Sequence, residues 1–384
     1  MKPPIYLDHN GTTPLDPEVV DAMRPFLESE FGNPSSSHAY GRRPRSAVAD
    51  ARRQVADLLG CRPEEIVFTS GGTEANNHAL KGIMMADHSG GHILTSAVEH
   101  PAVLEVCRFL ERFGVETTYL PVDNKGQVDP EAVKKAIRPE TRLISIMHAN
   151  NEVGTLQPVA EIADVACAQG IAVHTDAAQS VGKIPTRVAA LGVDLLSVAG
   201  HKLYAPKGVG ALYVRSGLEL ENFCHGAGQE NGRRGGTENV ALIVALGQAC
   251  EIAARGLHRH ARHMQAMRDR LHRGLESHLA GVALNGHPEQ RLPNTLSISF
   301  PGVAADRLLA AVDGALAASA GAACHADCVA VSHVLQAMQV PENRARGTVR
   351  FSVGRTTTED DIDAAVAIVV AAVNQLPHDD IKKR

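Results

Sequence analysis

The chain contains no tryptophan and few other aromatics, eight Phe and five Tyr in 384 residues. A protein that holds single-stranded nucleic acid by base stacking needs aromatic platforms, so that class is excluded. A charge surplus is also missing. Lys and Arg total 38 against 43 Asp and Glu, a formal net charge of −5. Dedicated nucleic-acid and anionic-membrane binders carry a basic excess, so neither partner is expected. The first residues, Met1 to Asp8, hold no apolar run of signal-peptide type. The longest uncharged apolar run, residues 364–373, is short of the ~20 residues of a membrane helix. Seven cysteines lie scattered at 61, 107, 167, 224, 250, 324 and 328. An odd, scattered set in a large chain is not a disulfide framework, and a reducing cytoplasm is the expected location.

What is present is a globular composition, 44% hydrophobic and 21% charged. Short apolar runs alternate with longer helical stretches. Ile66–Thr69, Ile93–Ser96, Leu143–Met147, Ile171–His174, Leu195–Val198 and Gly210–Val214 read as strands. Runs of this length between helices imply a buried, mostly parallel sheet, an α/β domain. The stretch near 240–280 is helical, with a His/Arg-rich part read as a solvated face linking two domains. From Leu296 onward the pattern is that of a smaller α+β domain. In open α/β sheets ligands sit beyond the strand ends, and the chemically suggestive residues cluster there.

Thr69-Ser70-Gly71-Gly72-Thr73-Glu74 joins a strand to a helix. Glycines and a helix N-terminus suit a phosphate, though an ordinary capped turn uses the same residues. His100 precedes a helix start at Pro101. Asp176 ends a strand, either as a cap or as a carboxylate beside a cofactor's ring nitrogen, where it would keep a pyridine protonated. Gly200-His201-Lys202 follows a core strand, and a lysine there is either a loop residue or a Schiff-base amine. Cys324 lies in a small-residue loop, Ala320 to Cys328, with His325 beside it. It is either a core thiol or an exposed nucleophile. A metal site is not expected, because no second ligand pair stands at a fitting spacing. Arg350, in a strand-like alternation, calls for a carboxylate partner from the protein or a substrate.

In order these make phosphate cup, His, Asn, Asp-x-x-Gln, His-Lys, Cys loop and Arg. The chain resembles the cysteine desulfurases, pyridoxal-phosphate enzymes of the aminotransferase-like fold (fold type I), and their relatives the selenocysteine lyases. The likeness runs from Tyr6-Leu7-Asp8 to about Gln375, and includes Phe31 to Ser36, His148 to Gly154, Arg234-Gly235-Gly236-Thr237 and Arg350 to Arg355. It implies a large cofactor-binding domain at 16–255 and a small domain from 1–15 and 256–384 that carries the catalytic Cys loop. It implies that Lys202 attaches the cofactor and later moves the Cα proton, that His100 stacks on the ring, and that Asp176 pairs with the ring nitrogen. Gln179 would contact the ring hydroxyl, and Gly72, Thr73 and His201 would hold the phosphate. Asn151 would lie near ring and substrate, Asn10 and Arg350 would bind substrate, and Cys324 would take the sulfur. Thr237 would reach the phosphate in a neighbouring subunit, which implies a homodimer. The expected reaction is removal of sulfur from L-cysteine to give L-alanine and a Cys324 persulfide, passed on to an acceptor protein. The alternative is selenium release from L-selenocysteine, whose enzymes have a loop like Gly-Ala-Ala-Cys-His-Ala-Asp. The length from Cys324 to Leu335 instead matches the desulfurases of iron–sulfur cluster assembly. Two positions depart from the family. Ala199 stands where a serine usually donates to the phosphate, and Gly11 stands in a usual Asn-Ala-Thr-Thr.

Overall fold

The computed structural model describes residues 3–86, 90–320 and 331–377. Its centre is a seven-stranded sheet. In spatial order the strands are Ile66–Thr69, Gly210–Val214, Leu195–Ala199, Ala172–Asp176, Thr141–Ser145, Gly91–Ser96 and Val115–Leu120. Gly210–Val214 runs antiparallel to both its neighbours, and the other pairings are parallel. The inner strands are apolar because helices cover both faces, so no side of them meets water. One apolar cluster fills the face that holds Ile144, Val173 and Leu196, and a second fills the face of Val67, Leu143 and Leu195.

A second sheet of four antiparallel strands pairs Ser319–Ala320, Thr348–Ser352, Thr295–Ser299 and Ala283–Asn285, in that order. Its core gathers Leu7, Ile298, Phe300 and Phe351 with the helix Glu359–Gln375. The helix Val240–His278 serves both bodies. Ile243 to Ala253 enter the core of the large sheet, whereas Met264 to Leu275 enter the second core. This is the one helix among the described residues that is long and apolar enough to cross a membrane. Its apolar stripe instead faces protein, through packing on the helices Pro17–Glu28, Ala39–Leu59 and Glu359–Gln375.

The large sheet carries buried histidines. His174 sits between Ser145 Oγ at 2.9 Å and Ser197 Oγ at 3.0 Å, a polar rung across three strands. His148 meets Ser180 Oγ at 2.9 Å. Burial pushes both rings down to about 4. Unfolded, they take up a proton near 6.5. Between these values the unfolded chain binds more protons, so stability is lost as pH falls. Urea unfolding should show a drop of about 2 kcal/mol per histidine between pH 7 and pH 5. The drop should be smaller in His174→Gln.

Candidate active site

The strands Ala172–Asp176 and Leu195–Ala199 end at one edge of the large sheet, and the chain from Asp8 to Thr13 crosses in front of them. Between lies a cavity of about 310 Å³, large enough for a small cofactor. Gly72, Thr73, His201 and Lys202 line it from the large sheet's loops, together with His100, Asn151, Asp176 and Gln179. Asn10 and Arg350 close it from the other side.

The helix Gly72–Met85 points its first turn into the cavity. The amides of Gly72 and Thr73 have no acceptor within the helix, as at any helix start, and suit an anion. A Cβ on Gly72 would lie 3.2 Å from the Ala199 methyl, so both positions are small and the backbone stays close to the cavity. Glu74 in the same turn pairs with Arg234 at 2.8 Å, which ties the Arg-Gly-Gly-Thr segment to this helix. Thr237 itself is exposed and lies outside the cavity of its own chain.

Asp176 fills the capping part foreseen for it and lines the cavity. Its Oδ1 accepts from Ala178 N at 2.9 Å, a local cap, and its Oδ2 accepts from Asn76 Nδ2 at 2.7 Å. Asn76 is 1% exposed, and its own Oδ1 has no partner. Sequence reasoning passed over Asn76, although it stands three residues past Thr73 on the same helix and so faces the same cavity. His100 caps the helix Pro101–Glu111 by accepting from Ala102 N at 3.0 Å through Nδ1. That leaves Nε2 for a ligand. Burial lowers the His100 pKa. Beside it Glu99 is fully buried and pushed up to about 8 by burial, and accepts from Ser96 Oγ and Met147 N.

Lys202 Nζ donates to Asn10 O at 2.5 Å and Gly11 O at 2.7 Å. Burial, then the Arg350 cation, push its amine down to about 8. Gly11 is a matter of space: a Cβ there would strike the Asp8 carboxylate. Asp8 in turn pairs with Arg350 at 2.7 Å, while Arg350 Nη1 donates to Asn151 O at 3.1 Å. Arg350 Nε is buried without a partner. Gln179 donates from Nε2 to Asn10 O at 3.1 Å and accepts at Oε1 from Lys183 Nζ at 3.0 Å. Lys183, a second residue that sequence reasoning missed, is pushed down to about 7, first by burial and then by Lys202 and Arg350. Its signal was a lone charge in the run Gln179 to Lys183.

Cys324, His325 and Cys328 lie outside the described residues. The chain on either side of 321–330 is held at the cavity. Ser319 and Ala320 pair with Arg350 and Val349. Ser332 donates to Glu152, and His333 Nε2 meets Glu99 O at 3.0 Å. Among the described residues no group of His, Cys, Asp and Glu is arranged to hold a metal ion.

Pyridoxal phosphate fits this donor set. An anchored carboxylate, an amine of lowered basicity and a helix start meet in one cavity, and Asn76, which holds that carboxylate, keeps a buried Oδ1 without a partner. In cofactor-free protein, Lys202 should react with an amine-selective reagent with a pH midpoint near 8, read by peptide mass spectrometry. Removing the Arg350 cation lifts a repulsion, so Arg350→Leu should move that midpoint upward.

Residues 5–365 match the aminotransferase class-V family. The cysteine desulfurase IscS of Dictyoglomus turgidum is 47% identical over 98% of this chain and 96% of its own length. The one of Methanosarcina thermophila is 45% identical over 97% of this chain and 92% of its own. Among solved structures, a NifS-like protein superposes with a TM-score of 0.91 at 37% identity, covering 98% of this chain and 100% of that one. SspA in complex with cysteine gives 0.82 at 37% identity, over 92% and 99%. Identity at this level along nearly the whole chain, on the same fold and around the cavity described, places the protein in the aminotransferase class-V family, among its cysteine desulfurases.

Proposed function

We propose that this chain removes sulfur from L-cysteine with pyridoxal phosphate, leaving L-alanine and a persulfide on Cys324. The observation that carries the reading is the convergence of Lys202, Asp176, the Gly72-Thr73 helix start and Arg350 on one cavity. Pyridoxal phosphate supplies the electron sink that weakens the bonds around the substrate Cα. Lys202 would hold the cofactor through its side-chain amine, and that amine would move the substrate Cα proton. A lowered pKa suits that task, because the amine must be free of its proton near neutrality. Asp176, fixed by Asn76 and Ala178, would pair with the ring nitrogen. Gly72, Thr73 and His201 would hold the phosphate, and His100 would stack on the ring. Asn10 and Asn151 border the substrate, and Arg350 offers its guanidinium to the substrate carboxylate.

The Cys324 thiolate attacks the substrate sulfur. A sulfur–sulfur bond forms, the carbon–sulfur bond breaks, and its electron pair stays with the carbon skeleton, which takes up protons to become alanine. The tethering of residues 319–320 and 332–333 beside Arg350, Glu99 and Glu152 supports delivery of that thiol to this cavity. Residues 16–255 form the large domain in this reading, and 1–15 with 256–384 form the small one. Thr237, outside its own cavity, would serve the phosphate of a second copy, and the enzyme would then be a homodimer. The persulfide passes to an acceptor protein in the cytoplasm. The loop sequence around Cys324 also favours a second reading, selenium release from L-selenocysteine on the same residues.

Holoenzyme reduced with borohydride should carry the cofactor on the Lys202 peptide, and Lys202→Ala should lose both label and turnover. Incubation with L-cysteine should place one extra sulfur on the Cys324 peptide and yield alanine. Cys324→Ala should lose sulfur transfer from cysteine and keep measurable activity on selenocysteine, where the carbon–selenium bond is weaker. Persulfide found only on Cys328, or an active monomer by light scattering, would refute the corresponding assignment.

A further inference from the structure

We propose that Lys183 is a positioning residue that acts on the cofactor's ring hydroxyl through Gln179. The inference rests on the placement of pyridoxal phosphate in this cavity. Lys183 is 4% exposed, and its Nζ makes one hydrogen bond among the described residues, to Gln179 Oε1 at 3.0 Å. No carboxylate stands among the charges that act on it. Lys202 and His201 face it from the loop after Leu195–Ala199, Arg350 from the second sheet, and His9 from the N-terminal segment. Its far side opens on a void of about 10 Å³ shared with Tyr204, His260 and Arg355, room for at most one water. A lysine set beside Lys202 and Arg350 with a neutral amide as its partner is not there to form an ion pair.

The amide explains the placement. Gln179 Oε1 is engaged by Lys183, so the amide presents its NH₂ end forward, where one N–H goes to Asn10 O at 3.1 Å. Gln179 lines the cavity, so the other N–H is left for a ligand oxygen. A cation on an amide oxygen draws electron density from the nitrogen and makes its N–H a stronger donor. An acceptor oxygen at that point is thereby stabilised in its deprotonated form. A merely structural lysine would fill space and leave that oxygen's titration unchanged.

The test is the pH titration of the visible absorption band of the holoenzyme. Lys183→Met should move the midpoint upward by about half to one unit, the shift that one hydrogen bond carries. Gln179→Leu should move it the same way, and the double variant no further, because both act at one oxygen. Lys183→Arg, which keeps the charge and the donor, should stay near the wild-type midpoint. Where Lys183→Met fails to fold, Lys183→Gln, which keeps a donor without the charge, should still shift the midpoint upward. An unchanged midpoint in Lys183→Met or in Lys183→Gln, a shift that adds in full to that of Gln179→Leu, or Lys183→Arg shifted as far as Met would each overturn the proposal. Wild-type protein that takes up no cofactor would instead refute the underlying assignment of the cavity, so the two failures are distinguishable.

Discussion

Every polar group of one buried side chain and its peptide is engaged at the junction of the two sheets, and that residue is Asn10. Its amide N–H donates to Ser352 Oγ, its Nδ2 to Thr295 Oγ1 and Asn151 O, and its Oδ1 accepts from Asn294. Its carbonyl accepts from Gln179 and from Lys202. Three of these partners belong to the second sheet and its approach, and three to the loops of the large sheet. A buried polar residue is stable only when such groups are paired, so the position of Asn10 fixes both bodies at once. Lys202, Gln179 and Arg350 take their places around it, Arg350 through Asn151 and Asp8.

The large sheet was legible because its inner strands are buried on both faces and read as unbroken apolar runs. Val115–Leu120 was not. Its sequence, Val-Glu-Thr-Thr-Tyr-Leu, is polar at the positions that face water, as befits an edge strand. The cup helix begins at Gly72, inside the Thr69–Glu74 segment read as the junction of strand and helix. Most cavity residues were readable in order along the chain because they stand at or just after strand ends, whereas Arg350 lies within Thr348–Ser352. Their supports were not, for a different reason. Asn76 reaches Asp176 across 100 positions and Arg350 reaches Asp8 across 342, and no local pattern announces either pairing.

Gly11 and Ala199 show how a departure from a familiar motif is absorbed. At Gly11 the missing methyl is space taken by the Asp8 carboxylate, which is thereby free to pair with Arg350. At Ala199 a small side chain lets the strand end approach the helix start at Gly72, with 3.2 Å between the alanine methyl and a Cβ at that glycine. One small residue makes room for a carboxylate and the other for a close approach of two segments, and both lie on the wall of the same cavity.

The helix Val240–His278 runs about 60 Å at 1.5 Å per residue, without a break at the junction of the two bodies. Each core is completed by one half of it. If either core melts, its half of the helix loses the packing that sustains it, and the fraying reaches the other core's half. The helix is thus a shared wall rather than a hinge. It makes the two bodies one cooperative unit, so that neither persists as a folded remnant once the other is lost.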